Sequence, residues 1–193
     1  MNTQSEVKQN YVFLADGFEE IEALTVVDIL RRADLNCTTV SVNPDGKTIV
    51  NGSHNIPVTA DTTIDKITLD TVESLILPGG MPGTSNLKAS EPLKALIIEA
   101  YEKKYHLAAI CAGPTVLAEL GLLKNVNAVC YPSSEEILSK SGAIVHGEEV
   151  ITDGNITTSR GMGTAIAFGL ELVRILKNEE AAKELQSKIV YRS

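Results

Sequence analysis

The chain has 193 residues, of which 44% are hydrophobic and 22% charged, and its formal net charge is −8. That suits one domain burying about 70% of its unfolded surface, and the acidic balance argues against nucleic-acid backbone binding, which needs a concentrated basic face. No apolar run approaches the ~20 residues that span a bilayer, and three cysteines (Cys37, Cys111, Cys130) without CxxC or Cys/His ligand spacing indicate neither a disulfide framework nor a metal site.

These features predict a cytoplasmic protein with small-molecule or protein partners, no nucleic acid and no membrane. Residues 1–10 are polar, lack a signal-peptide core and read as a flexible tail. Residues 11–193 read as one domain. Tyr11 to Ala15 predicts a first strand closed by Asp16-Gly17, and a helix follows over Glu19 to Ala33. Cys37 to Val42, rich in β-branched residues, predicts the second strand. Thr48 to Thr59 reads as a hairpin with Asn51-Gly52 as its turn signal.

Val72 to Leu77 predicts a further strand, closed by Pro78-Gly79-Gly80. A helix over Glu91 to Tyr105 leads into the apolar strand that ends at Ile110. Asn127 to Tyr131 is strand-like and stopped by Pro132. Strands near Glu149–Thr152 and Ile156–Ser159 flank the turn signal Asp153-Gly154, and helices over Thr164–Leu176 and Glu179–Ser187 finish the chain. Strands alternating with helices of 10 to 15 residues predict a parallel sheet between helical layers.

The most informative stretch is Leu107 to Pro114. A cysteine at a strand-to-helix corner, flanked by Ala112, Gly113 and Pro114 and leading into the helical run Thr115–Leu120, has the form of a nucleophile elbow. Small neighbours let the backbone turn sharply, and the adjacent helix start favours thiolate over thiol. The competing reading is a buried structural cysteine.

In open α/β sheets, ligands bind beyond the carboxyl ends of the strands. Gly17-Phe-Glu-Glu-Ile-Glu22 follows the first strand and carries three carboxylates. Glu19 and Glu20 suit the positive end of the helix dipole. Glu22 instead falls on the helical arc of Phe18, Val26, Ile29, Leu30 and Ala33, which is the apolar face. A carboxyl there is expected to hold its proton, to hydrogen-bond the sulfur and to serve as a general acid. Gly79 and Gly80 offer backbone N–H groups suited to a developing oxyanion. Thr158-Ser-Arg160-Gly161, at another strand end, offers hydrogen bonds to the site or to a partner subunit. Among the histidines, His54 and His146 read as solvated, and His106 precedes the elbow strand at the wrong end.

Together Ala15–Glu22, Leu77–Gly80, Ala108–Pro114 and Thr158–Thr164 resemble the ThiJ/PfpI superfamily, and within it the branch of the parkinsonism-associated protein deglycase. The similarity runs from about Tyr11 to Leu176. It implies a flavodoxin-like three-layer α/β/α sandwich of the class I glutamine amidotransferase-like kind, with a mostly parallel central sheet and a nucleophile elbow. It further implies a homodimer without metal or organic cofactor. Cys111 matches the oxidation-prone elbow cysteine and Glu22 the protonated glutamate beside it. Gly79, Gly80 and Ala112 match the substrate or oxyanion side, and Tyr131 and Arg160 stand as accessory positions.

Two positions depart from relatives. Ala112 stands where the protease-like branch carries His, which weakens a peptidase reading. Tyr131 stands where some members carry His, and a phenol is the poorer base at neutral pH. An amidotransferase-like hydrolase would need a His-x-Glu partner for the cysteine downstream, and the one such triplet, His146-Gly147-Glu148, reads as a solvated polar stretch. The resemblance therefore implies a glyoxalase III or deglycase acting on methylglyoxal, glyoxal or their adducts through Cys111 and Glu22. The alternative is a redox sensor or chaperone using Cys111 sulfinic acid, in which Cys130 is a remote candidate for a resolving thiol. Ile21, Leu24 and Arg32, on the helix surface opposite Glu22, form the expected dimer contact.

Overall fold

The computed structural model describes residues 7–192. Strand β1 (Gln9–Leu14) leads through helix α1 (Glu20–Arg32) to β2 (Cys37–Ser41), and a small antiparallel pair, β3 (Ile49–Asn51) and β4 (Pro57–Thr59), precedes the short β5 (Thr62–Thr63). Then come β6 (Val72–Leu77), α2 (Gly83–Ala89), α3 (Glu91–Glu102) and β7 (His106–Ile110), which runs into α4 (Pro114–Glu119). The remaining elements are β8 (Asn127–Ala128), α5 (Glu135–Lys140), β9 (Ile144–Val145), β10 (Val150–Asp153), β11 (Ile156–Ser159), α6 (Ala165–Leu176) and α7 (Glu179–Lys188).

Seven strands form one sheet in the order β10-β11-β7-β6-β1-β2-β5, parallel except for β10. Period-two alternation divides its side chains between two cores. Tyr11, Phe13, Leu75 and Leu107 face the layer containing Leu93, Ile97, Val116, Leu117 and Leu138 from α3, α4 and α5. Val12, Leu14, Ile76 and Ala108 face Val26, Leu30, Phe168, Leu172 and Leu185 from α1, α6 and α7. The result is a flavodoxin-like three-layer sandwich.

From β1 the chain winds outward to β2 and β5, then returns to lay β6 on the other flank of β1. The direction of winding thus reverses between β1 and β6, the place where open α/β sheets form their ligand crevice. Two glycines let the loops meet there. A Cβ on Gly80 (φ +94°) would lie 2.5 Å from Gly17 O, so only glycine fits that contact.

Several boundaries differ from expectation. The expected tail 1–10 overlaps β1, because Gln9 pairs with Val72 and Asn10 is fully buried, bonding Ser74, Asn36 and Glu73; residues 1–6 lie outside the described residues. The strand expected over Asn127–Tyr131 stops at Ala128, since Val129 N–H turns to Thr158 Oγ1 and Tyr131 N–H to Cys111 O. The β3–β4 hairpin is closed by the longer loop Gly52–Ile56, in which Gly52 N–H bonds Ile56 O. No helix among the described residues is long and apolar enough to cross a membrane.

Candidate active site

Three strand ends build the site. After β7 the chain turns at Cys111, which adopts φ +64°, a left-handed conformation rare for a residue with a side chain and typical of strain held at functional corners. The corner is pinned on every side. Cys111 N–H donates to Ser159 O at 2.9 Å, Tyr131 N–H donates to Cys111 O at 2.9 Å, and Gly113 N–H donates to Ile110 O at 2.8 Å. Cys111 is partly buried, whereas Cys37 and Cys130 are buried.

After β1, the turn Ala15–Glu19 delivers α1. Glu19 caps the helix by accepting Glu22 N–H at 2.7 Å. Glu22 then falls on the inward face, 1% exposed, among the apolar residues its helical spacing predicts. After β6, Gly79 N–H donates to Glu22 Oε2 at 2.8 Å. The Met162 N–H, from the segment after β11, and the Cys111 side chain lie close enough to favour the charged carboxylate.

Burial pushes the Glu22 carboxyl up to about 7, against those hydrogen bonds, and the neighbouring Glu19 charge adds to the rise. Burial likewise pushes the Cys111 thiol up to about 12, followed by the Glu22 charge and the Glu22 hydrogen bond, while the Ala112 and Gly80 N–H groups pull it down. The N–H groups at the corner thus act in the expected direction, toward thiolate, against the larger effect of burial and of Glu22. The six-residue α4 does not outweigh burial beside a carboxylate. The Glu22 charge raises the thiol, so the two groups do not both ionise near neutrality.

Gly79 also differs from its expected role. Its N–H is taken by Glu22, so the donors directed at the sulfur come from Gly80 and Ala112. What Gly79 supplies is space, because a Cβ there would stand 2.8 Å from both Cys111 Cβ and Glu22 Oε2. Arg160 does not engage the pair. Its guanidinium donates to Glu135 Oε1 at 3.1 Å and Gly147 O at 3.2 Å, tying the loop after β11 to α5. Tyr131 stands at the mouth, half exposed, with its ring edge beside Gly161.

Glu20 proves to do more than suit the helix dipole. It is buried and accepts His54 N–H at 2.7 Å, with His54 Nδ1 at 3.0 Å and Ser53 Oγ at 3.2 Å. Burial alone would raise its pKa, but those bonds, His54 foremost, hold it down to about 2. Glu19, Glu20 and His54 place one donor atom each within 4.8 Å of one another. Glu20's oxygens are occupied by the β3–β4 loop and Glu19 Oε2 by its cap, so the cluster fastens that loop to α1. His54 is thus engaged rather than simply solvated, and His146 bonds Asn127 Oδ1 at 2.8 Å. His106 sits, as expected, at the far end of β7, buried against Thr157.

The model of the DJ-1/PfpI family matches residues 8–175. Protein dj-1beta of Drosophila melanogaster is 34% identical over 178 residues, covering 92% of this chain and 94% of that protein. The Parkinson disease protein 7 homolog of Danio rerio is 31% identical, covering 95% and 97%. The chain spans only 42% of the longer Protein DJ-1 homolog B of Arabidopsis thaliana, at 35% identity over 97% of its own length. Among solved structures, oxidized Toxoplasma gondii DJ-1 superimposes with a TM-score of 0.90 at 33% identity, covering 97% of this chain and all of that one.

Proposed function

The chain belongs to the DJ-1/PfpI family, and from that premise we propose that it is a cysteine-dependent, cofactor-free small-aldehyde enzyme of the glyoxalase III or deglycase type. The observation that carries this reading is the buried carboxyl of Glu22, held by the Gly79 N–H beside the sulfur and able to keep a proton at neutral pH.

In the proposed reaction the pair enters with one proton, carried by Glu22, and the Cys111 thiolate bonds to the aldehyde carbon of methylglyoxal while the carbonyl pair moves to oxygen. Glu22 gives its proton to that oxygen, forming a hemithioacetal. As a carboxylate it then takes the C1 proton, leaving an enediolate, and returns that proton to C2 while the C1 hydroxyl proton passes to the C2 oxygen, giving the thioester. Water hydrolyses the thioester, releasing lactate and the thiol. C1 is oxidised and C2 reduced within one molecule, so no outside redox partner is required. The Gly80 and Ala112 N–H groups support the negative charge that develops at the corner. For the deglycase version, the substrate is a methylglyoxal adduct of an amine or thiol.

Lactate release from methylglyoxal by the wild type and by Cys111→Ser tests the reading. Loss of turnover in the variant is expected, and equal rates would overturn it.

A second reading, redox sensing, draws on the partial exposure of Cys111 beside two buried cysteines. Under it, mild peroxide converts Cys111 to sulfinic acid held by Glu22, well ahead of Cys37. Mass spectrometry that finds the two equally oxidised removes it. We further propose a cytoplasmic homodimer joined through the α1 face, where Ile21 is half exposed near Leu24, Arg32 and the exposed Ile166. Light scattering that gives a monomer mass would refute the dimer.

A further inference from the structure

The mouth of the site has a distinct chemistry, whose meaning for substrate choice rests on the aldehyde reading. Two carboxylates bear on the pair, Glu22 on the thiol and Glu19 on Glu22. The guanidinium of Arg160, one residue before Gly161, is engaged by Glu135 and Gly147 O and acts on Cys130 instead. A substrate bearing a carboxylate or phosphate would therefore meet like charge, with the Arg160 guanidinium engaged elsewhere.

The rim is apolar. Tyr131 is 50% exposed although its backbone is fixed to Cys111 O. Its ring and the reacting acid border the same bare Cα: a Cβ on Gly161 would stand 3.5 Å from Tyr131 Cδ2 and 4.0 Å from Glu22 Oε1. Met162, the residue after Gly161, is likewise an exposed large apolar residue. A clamped backbone carrying a solvent-facing ring beside the acid is a stacking wall.

We propose that Tyr131 is a specificity-determining residue, and that the site selects neutral α-oxoaldehydes with an aromatic or other apolar substituent over small polar or anionic ones. For phenylglyoxal, sulfur attacks C1, Glu22 moves the C1 proton to C2, and water releases mandelate, with the same atom balance as for lactate.

The test has two arms on the full-length protein, each with wild type, Tyr131→Ala and Tyr131→Phe. In the first, kcat/KM is measured from mandelate and glycolate formed from phenylglyoxal and glyoxal. The wild type is expected to favour phenylglyoxal by about tenfold, mainly through KM. That ratio should collapse in Tyr131→Ala and persist in Tyr131→Phe, which keeps the ring without the hydroxyl.

The second arm needs no turnover. Cys111 alkylation rates, followed by peptide mass spectrometry and normalised to glutathione, are compared for N-phenylmaleimide against N-methylmaleimide and for iodoacetamide against iodoacetate. Preference for the aromatic and the neutral reagent, with the aromatic preference lost in Tyr131→Ala, supports the inference even if no aldehyde is turned over, in which case only the enzymatic reading falls. Turnover with an unchanged substrate ratio in Tyr131→Ala overturns the inference and leaves the enzyme reading standing. In the absence of turnover, equal alkylation ratios overturn it as well.

Discussion

Gly79 N–H donates to Glu22 Oε2 at 2.8 Å, linking the end of β6 to the first turn of α1 across 57 residues of sequence. The bond orients the carboxyl beside Cys111, and the missing Cβ of Gly79 leaves room for both groups.

Replacing Gly79 by Ala puts a Cβ 2.8 Å from Cys111 Cβ and Glu22 Oε2. Neither neighbour is a flexible end, since one is anchored at the strained elbow and the other is buried and held by the Gly79 N–H. Displacing the pair by a few tenths of an ångström or more should lower turnover and Cys111 reactivity by about 100-fold. Steady-state kinetics with an intact far-ultraviolet dichroism spectrum would show it, and near wild-type activity would mean that the pair tolerates displacement.

Glu22 should make the fold less stable as the medium becomes basic. Its folded pKa of about 7 lies above its ordinary 4.5, so the native state binds the extra proton between those values. The contribution is fully present below pH 4.5 and lost as pH rises through 7, amounting to about 3 kcal/mol. Glu22→Gln removes this dependence. Its stability relative to wild type, from urea unfolding, should therefore improve steadily between pH 5 and pH 8.

His106 should act with the opposite sign in nearly the same window. Burial pushes it down to about 4, against the charge of Glu171, and its Nε2 lies 2.9 Å from Thr157 Oγ1. The unfolded chain then binds the extra proton, so stability is lost as pH falls from 6.5 through 4, by about 3 kcal/mol. His106→Gln should erase that loss, and unfolding curves of the two proteins at pH 7 and pH 4.5 would reveal it. The opposed signs leave the wild type flatter with pH than either variant.

The framework of the fold is readable from strand and helix periodicity, and Glu22 is betrayed by its place on an apolar arc with Phe18, Val26, Ile29 and Leu30. Other features hide because they are made by distant partners. Nothing local in Gly83-Thr-Ser-Asn predicts α2, whose first four residues are poor helix formers held in place by the Gly17–Gly80 turn and the core contact of Leu87. The role of Glu20 depends on Ser53 and His54, which a hairpin of independent origin brings to it. Whether Gly79 donates to an oxyanion or to Glu22 is decided by a bond that no spacing in the chain encodes.

Glu20→Gln should loosen the β3–β4 loop without touching the acid–thiol pair. Losing its charge-assisted bonds to His54 and Ser53 is expected to cost about 2 kcal/mol. The imidazole of His54, held above its ordinary range first by its hydrogen bond to Glu20 and then by that residue's charge, should titrate at lower pH in the variant. Nuclear magnetic resonance of the ring protons reads that shift directly, and an unchanged His54 titration would mean the bond is not formed.

The proposed chemistry requires one proton to be shared between Cys111 and Glu22, which is tested most directly by the rate of Cys111 alkylation with iodoacetamide as a function of pH, in wild type and Glu22→Gln. In the wild type, reactivity should rise through an inflexion near pH 7, where the pair loses its first proton. In Glu22→Gln that inflexion should disappear, leaving a single thiol titration set by burial and the Gly80 and Ala112 N–H groups. Superimposable profiles for the two proteins would contradict a shared proton and remove Glu22 from the chemistry of the elbow.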